Sequence, residues 1–419
     1  MHTDLPSYEE AAELVAAYAV KPGSIPPSVE RVELGLAAGR ILAQPLVADR
    51  DQPPFSRSTR DGFACRAAEA SAHALLAIAG ATRAGAIPSG PLEPGTAWEI
   101  MTGAPVPSGA DVVLMLEHAD AKGGHVRLLP PRTVKPGENI VAQGAQGRQG
   151  DELLPAGAPL RSGQIALAAA CGYAAVEVFV RPRVAILSTG DELVSVASSP
   201  TPGQIRNSNA PMLAAMVAAA GGEPWVLPTA ADNATSLDAA LVQAATADLL
   251  LISGGVSAGK FDLVEPALAR RGARFHFTGV RMQPGKPTVF GELPRPRGSG
   301  APPLPFFGLP GNPVSSAVTF LLFAAPVLAA LAGSWESFPR FALARLAPPV
   351  ERHSKSGLTR FLPAFCNFGA PADQPPQVSF VPWHGSGDLV ALAGSNCFLV
   401  IPEDAHSLKP GSPVSILLP

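Results

Sequence analysis

The run Leu249-Leu250-Leu251-Ile252 passes directly into Ser253-Gly254-Gly255-Val256-Ser257-Ala258-Gly259-Lys260-Phe261-Asp262, and this junction constrains the fold more than any other stretch. The apolar run is short and β-prone, as in a parallel strand buried on both faces, and Leu263 to Arg270 suits a helix. Strand, glycine-rich loop and helix in that order form a unit of an α/β sheet. Gly254, Gly255 and Gly259 let the backbone approach a ligand closely. The loop amides, with the hydroxyls of Ser253 and Ser257, can surround an oxyanion such as phosphate. The plainer alternative makes Asp262 an N-cap with Glu265 at N3, and the glycines only a tight turn.

A chain of 419 residues that is 47% hydrophobic has material for a large core and more than one domain. Its net charge of −3, and the absence of any Lys/Arg-rich run, argue against a nucleic-acid partner. Cys65, Cys171, Cys366 and Cys397 lie far apart without a C-x-x-C pair, and the histidines lack zinc-ligand spacing. Reduced thiols, no structural zinc and a cytoplasmic location are therefore expected. The N-terminus carries Asp4, Glu9, Glu10 and Glu13 and no basic segment, so it does not read as a signal peptide. Val314 to Gly333 is the one membrane candidate. Its Ser315, Ser316, Thr319 and Pro326, with Asn312 as N-cap and Pro313 at N1, suit a buried helix better, and no membrane association is expected.

Ser7-Tyr8-Glu9-Glu10 is a capping box that opens a helix to about Val20. Val29 to Leu34 is strand-like and Leu36 to Leu42 helical. The stretch Asp51 to Ala64 is dense in Pro, Gly and polar residues, a functional-loop composition. Short β-like runs at 98–101, 112–116 and 126–129 suggest a small β-rich module, followed by a helix at 162–170 and a strand at 176–180. From Arg183 strands and helices alternate, which predicts an open, largely parallel sheet with ligands at the carboxyl ends of its strands. The loops Ser188-Thr189-Gly190-Asp191-Glu192, 253–262, Pro284-Gly285-Lys286-Pro287 and Leu309-Pro310-Gly311-Asn312-Pro313 fall there. After Pro339 short strands and turns return, predicting a β-rich C-terminal domain.

An anion on the 253–262 amides would find its counter-charge in Lys286. Asp191 and Glu192 are too acidic to touch a phosphate directly, and would hold a hard cation, magnesium, or position a nucleophile. Their plainer reading is a pair of helix-start carboxylates. There is no G-x-S-x-G, Walker loop or H-E-x-x-H, so hydrolase-triad, nucleotidase and zinc-protease chemistry lack support.

Taken together, the motifs resemble those of the MoeA-type molybdopterin molybdenumtransferases, related to the E domain of gephyrin. They are Ser58-Thr59-Arg60-Asp61-Gly62-Phe63-Ala64, Met101-Thr102-Gly103-Ala104-Pro105-Val106-Pro107, Ser188 to Leu193, Gly203-Gln204-Ile205-Arg206-Asn207-Ser208-Asn209, 253–262, Pro284 to Pro287, Leu309 to Val314, and Gly385-Ser386-Gly387. The resemblance implies insertion of molybdate into adenylylated molybdopterin with release of AMP, dependent on Mg2+. It further implies a homodimer that shares its cleft, and contacts with other proteins of molybdenum-cofactor assembly. The implied subunit is elongated and L-shaped. Residues 1–26 would be a helix packing on the α/β domain, 27–46 plus 151–180 a linker domain, and 47–150 a small β-rich domain. Residues 181–334 would be the molybdopterin-binding, MogA-like α/β domain and 335–419 a β-rich C-terminal domain.

Carried over by position, Asp61, Thr102, Glu192, Asp232, Asp262 and Lys286 would be catalytic, with Asp191, Glu192 and Asp262 as metal ligands. Thr189, Gly190, Asp191, Ser253, Gly254, Gly255, Ser257, Gly259, Pro284, Gly285, Pro310, Gly311, Asn312 and Ser386 would bind substrate. The chain departs from the family pattern at Gln146, where a carboxylate is usual, and at Gln283, where some members carry lysine. The substitution at 146 leaves a second reading, a pterin-binding scaffold that has lost catalysis, and a third is a paralogue that prefers tungstate, which the sequence does not separate from molybdate.

Overall fold

The computed structural model describes residues 5–20, 27–255, 263–295, 300–347, 357–369, 374–403, 405 and 408–419. At its centre is a six-stranded sheet built from β1 (Arg183–Ser188), β2 (Glu223–Val226), β3 (Leu249–Ser253), β4 (Arg274–Thr278), β5 (Val289–Leu293) and β6 (Leu304–Leu309), in the order β2-β1-β3-β6-β5-β4. The first four strands in that order pair in parallel, and β5 runs antiparallel to both of its neighbours.

Side chains alternate across a strand, so a strand apolar throughout must be covered on both faces. Val184, Ile186, Leu249, Leu251, Phe307 and Leu309 enter one core. Ala185, Leu187, Leu250, Ile252 and Phe306 enter the other. On the first face lie the helices Asn209–Ala219 and Pro313–Thr319, and the N-terminal helix Tyr8–Ala19 through Ala11 and Val15. Helices Ala234–Ala244 and Val264–Arg270 cover the second face. Truncating a residue as enclosed as Leu251 costs about 2–5 kcal/mol in such a core.

This strand order decides where a ligand goes. From β1 the chain crosses outward to β2 over one face and returns past β1 to β3 over the other, so the connections diverge between β1 and β3. At the carboxyl end of the sheet such a switch point leaves a crevice.

The capping box at Ser7 forms: Glu10 N–H donates to Ser7 Oγ at 3.1 Å and Ser7 N–H to Glu10 Oε2 at 2.7 Å. The apolar segment Pro313–Leu331 has 72% of its most hydrophobic window buried inside the fold. Its turn at 320–324 widens to π geometry just ahead of Pro326, which has no N–H to give the preceding turn. Leu36 to Leu42 is not helical. A short 3-10 turn, Leu34–Leu36, is followed by Gly39 at φ +74°, and Leu42 then bridges Val178.

A second six-stranded sheet lies within 62–128, with Gly62–Cys65 between Thr96–Ile100 and Val112–Met115. Strands Val29–Glu33 and Ala175–Phe179 pair antiparallel, joining segments from either side of that sheet in sequence. Toward the C-terminus, strands Phe341–Leu346, Thr359–Asn367, Gln377–Phe380, Cys397–Ile401 and Pro413–Leu417 close on themselves through the pairing of Thr359–Asn367 with Cys397–Ile401. Closure removes the free edges, and Leu362, Leu399 and Ile416 fill the interior. The four cysteines are buried and free.

Candidate active site

At the carboxyl end of β1 the Thr189 N–H donates to the Ser253 carbonyl at 3.0 Å, tying the loop to the end of β3. Gly190 sits at φ +144°, and a Cβ there would meet Glu192 Oε2 at 2.5 Å, so the missing side chain is what lets the Glu192 carboxylate fold back over the turn. Asp191 and Asp232 brace each other: Asp232 N–H donates to Asp191 Oδ1 at 3.0 Å, and Asp191 N–H to Asp232 Oδ2 at 3.4 Å. Asp191, Glu192 and Asp232 are all exposed. The 191–192 pair does not start a helix, because Leu193–Val194 runs straight into a parallel pairing with Ile205–Arg206.

Ser253 ends β3 and is 3% exposed. Gly254 follows at φ +92°, with its N–H on the Leu309 carbonyl at 3.1 Å. A Cβ there would lie 2.8 Å from the Thr189 carbonyl oxygen. A Cβ on Gly311 would in turn touch Gly254 Cα at 3.6 Å. The backbones of the β1, β3 and β6 loops are therefore in direct contact. Gly255 is the last described residue of its loop. Ser257, Gly259 and Asp262 lie outside the described residues, and the helix beyond has Leu263, not Asp262, at its N-cap.

Pro310, whose carbonyl accepts from Ser316 Oγ, leads into Gly311 and Asn312. Asn312 holds the N-cap position without capping the helix. Its Nδ2 donates instead to Ser386 Oγ at 2.9 Å, and Val314 N–H donates to the Ser386 carbonyl at 3.0 Å. Ser386 thus carries the C-terminal barrel onto the β6 loop.

Because β5 is antiparallel, the turn that precedes it opens at the same end of the sheet. Pro284 follows a cis peptide, and Gly285 sits at φ +111° where a Cβ would fall 2.5 Å from Thr319 Cγ2. Lys286 fixes its backbone by accepting from Val280 N–H at 2.9 Å, while its exposed side chain makes no ion pair among the described residues.

Asp61 and Thr102 meet each other, elsewhere. Asp61 Oδ1 accepts from the Thr102 N–H at 2.6 Å and from its hydroxyl at 2.8 Å, and these donors, the amide first, hold the Asp61 carboxyl below its usual range. Among the described residues no hydrogen bond joins this pair to the sheet-end loops. Gln146 is exposed and contributes its N–H to the Gln52 carbonyl at 2.8 Å. The carboxylate that organises its loop is Asp51, which accepts from Gln149 N–H at 3.0 Å and Gln143 Nε2 at 2.8 Å.

No group of three or more His, Cys, Asp or Glu side chains is gathered for a metal ion among the described residues. The carboxylates of Asp191, Glu192 and Asp232 have the hard oxygen chemistry that suits magnesium, but they do not close into a ligand set. Sequence reasoning missed the residues that knit the loops together, Asn207 and Asn209. Both stand in the 203–209 motif, just where a helix starts beside the switch point, and that placement was the available signal.

Residues 6–172 match the family described as "MoeA N-terminal region (domain I and II)", residues 185–330 the "Probable molybdopterin binding domain", and residues 346–418 the "MoeA C-terminal region (domain IV)". A molybdopterin molybdenumtransferase of Nostoc sp. is 36% identical over 431 aligned positions, covering 99% of this chain and 94% of that protein. One from Bacillus subtilis is 33% identical, covering 93% and 89%. A crystal structure of the molybdopterin biosynthesis protein MoeA from Pyrococcus horikoshii superposes with a TM-score of 0.76 at 28% identity, covering 99% of this chain and 100% of that one. Sequence and fold agree along nearly the whole length, and the chain belongs to the molybdopterin molybdenumtransferase family.

Proposed function

We propose that this chain is a transferase of molybdenum-cofactor biosynthesis that inserts molybdate into adenylylated molybdopterin and releases AMP. The observation that carries the proposal is the junction of the Thr189, Gly254 and Gly311 backbones at the switch point, with the Lys286 turn at the same sheet end. Lys286 and the amides of the loop from Gly255 onward would bind the anionic phosphates of the substrate. Ser386 and Asn312 would close the β6 side, and Asp232 would orient the Asp191–Glu192 turn through its backbone contact. Magnesium, when bound, would supply charge neutralisation at the phosphates, with Asp191, Glu192 and Asp262 as its ligands.

The scaffold reading has no observation in its favour, since the loop that carries Gln146 keeps its order around Asp51. Purified protein incubated with adenylylated molybdopterin, molybdate and magnesium should release AMP and yield molybdenum on the pterin. AMP release without metal insertion would move the assignment to a scaffold, and chelation that leaves turnover unchanged would remove magnesium.

The five-part division set out above, the cytoplasmic location and the homodimer belong to the same proposal. In that dimer Asp61 and Thr102 would face the 253–262 loop of the partner subunit, which accords with the absence, among the described residues, of any hydrogen bond from this pair to the sheet-end loops of its own chain. Mixed Asp61→Ala and Asp262→Ala subunits would then place both lesions in one cleft and leave the other intact. About half of all dimers are mixed, so about a quarter of wild-type activity should return. Confirmed heterodimers that restore nothing would refute the shared cleft.

A further inference from the structure

We propose that Asn209 is a positioning residue of this reaction, acting through the hydroxyl of Ser253; the assignment deepens the function proposed above and rests on it. Asn209 opens the helix Asn209–Ala219 and is 8% exposed. Its Nδ2 donates to the Gly311 carbonyl at 2.7 Å and to Ser253 Oγ at 2.8 Å. A carbonyl can only accept, so the contact with Gly311 fixes which end of the amide is nitrogen. Both protons of that nitrogen are then in use.

Two consequences follow. The amide pins the end of β3 to the loop after β6, across the place where Gly254 and Gly311 touch. It also makes Ser253 Oγ an acceptor, so the serine proton must point elsewhere, and no described residue takes it. The proton is thereby directed to an anionic oxygen of a ligand at the Gly254-Gly255 turn. Capping does not explain Asn209. A capping asparagine uses its oxygen on a first-turn N–H, whereas Asn209 Oδ1 is buried without a partner among the described residues, and it is Asn207 Oδ1 that accepts from Ala210 N–H at 3.1 Å. Thr189 Oγ1, 3.2 Å from the Cβ position of Gly254, is likewise buried without a partner, so polar groups around the turn remain ready for a ligand.

The test is a double-mutant cycle on the full-length protein, read as the dissociation constant of adenylylated molybdopterin, with the Tm of every variant alongside. Asn209→Asp is nearly isosteric but accepts where asparagine donates, so it captures the Ser253 proton. It should weaken binding about tenfold, Ser253→Ala about tenfold, and the double variant also about tenfold instead of a hundredfold. Should Asn209→Asp fail to fold, Asn209→Ser, which cannot reach Gly311, enters the same cycle. Losses that multiply, or unchanged affinity with a lowered Tm, would overturn the positioning role. A wild type that binds no adenylylated molybdopterin would overturn the function itself, and this assignment with it.

Discussion

The two ends of the central sheet are made from the same strands and treat polar groups in opposite ways. At the amino end the groups are mutually satisfied. The Arg183 guanidinium lies 3.7 Å over the Trp225 ring, and the Arg183 backbone N–H donates to Asp248 Oδ2 at 2.8 Å. Arg295 donates to the carbonyls of Ala245, Ala247 and Pro302, tying the β5–β6 connection to the segment that leads into β3. At the carboxyl end Thr189 Oγ1 and Asn209 Oδ1 are buried without described partners, and Lys286 is exposed without an ion pair among the described residues. One end is finished by the fold and the other is left for something to bind, which is how a sheet of this class divides stability from function.

The sharpest way to test that division is Gly254→Ala. The new Cβ would sit 2.8 Å from the Thr189 oxygen at φ +92°, forcing the β1 and β3 loops apart. AMP release should fall by about a hundredfold or more, since a shift of about 1 Å in a positioning loop has that effect. Near-normal turnover would mean the loops need not touch. Next comes Lys286→Ala, which should raise the dissociation constant of adenylylated molybdopterin about ten- to a hundredfold with Tm unchanged. Unaltered affinity would place the lysine outside the site.

At the opposite end Arg295→Ala should do the reverse. Removing its hydrogen bonds should cost about 2 kcal/mol of stability and leave the affinity for adenylylated molybdopterin untouched. A matching loss of affinity would erase the distinction between the ends. The smallest expected effect lies beside the site, at Asp388. Its carboxyl is held down to about 2 from 3.8 by the Ala391 N–H first and then by His384. A depressed carboxylate contributes stability that is present above its unfolded value and lost as pH falls through its folded one. The gap in Tm between wild type and Asp388→Asn should therefore be full above pH 3.8 and close as pH falls to about 2. A gap that stays constant to pH 2 would show that the charge plays no part.

Much of this architecture could be read from local sequence. The capping box at Ser7, the helix Ser162–Ala170 and the strands from Arg183 onward rest on short-range chemistry, and the apolar runs declared that both faces of the sheet are covered. The loops after β1, β3 and β6 followed from alternation alone, whereas the Pro284 turn reaches that end of the sheet only because β5 is antiparallel. What escaped was non-local. Asn312 has every local mark of a cap yet is recruited by Ser386 from another domain, and Asn209 is defined by residues far along the chain. The helical pattern of Leu36 to Leu42 lost to a bridge with Val178. In each case a partner distant in sequence outbid the local preference.

One pairing changes how the lysine should be thought of. Met282–Gln283, immediately before the Pro284 turn, does not belong to the central sheet but pairs with Thr359 and Arg360 of the C-terminal barrel, while Val289, just after the turn, is back in the central sheet. The segment that carries Lys286 is therefore strung between the central sheet and the barrel like a strap with both ends fastened. The barrel, which shares a core with the central sheet through Phe361, Phe398 and Leu417, is thus part of the frame that sets where the positive charge stands.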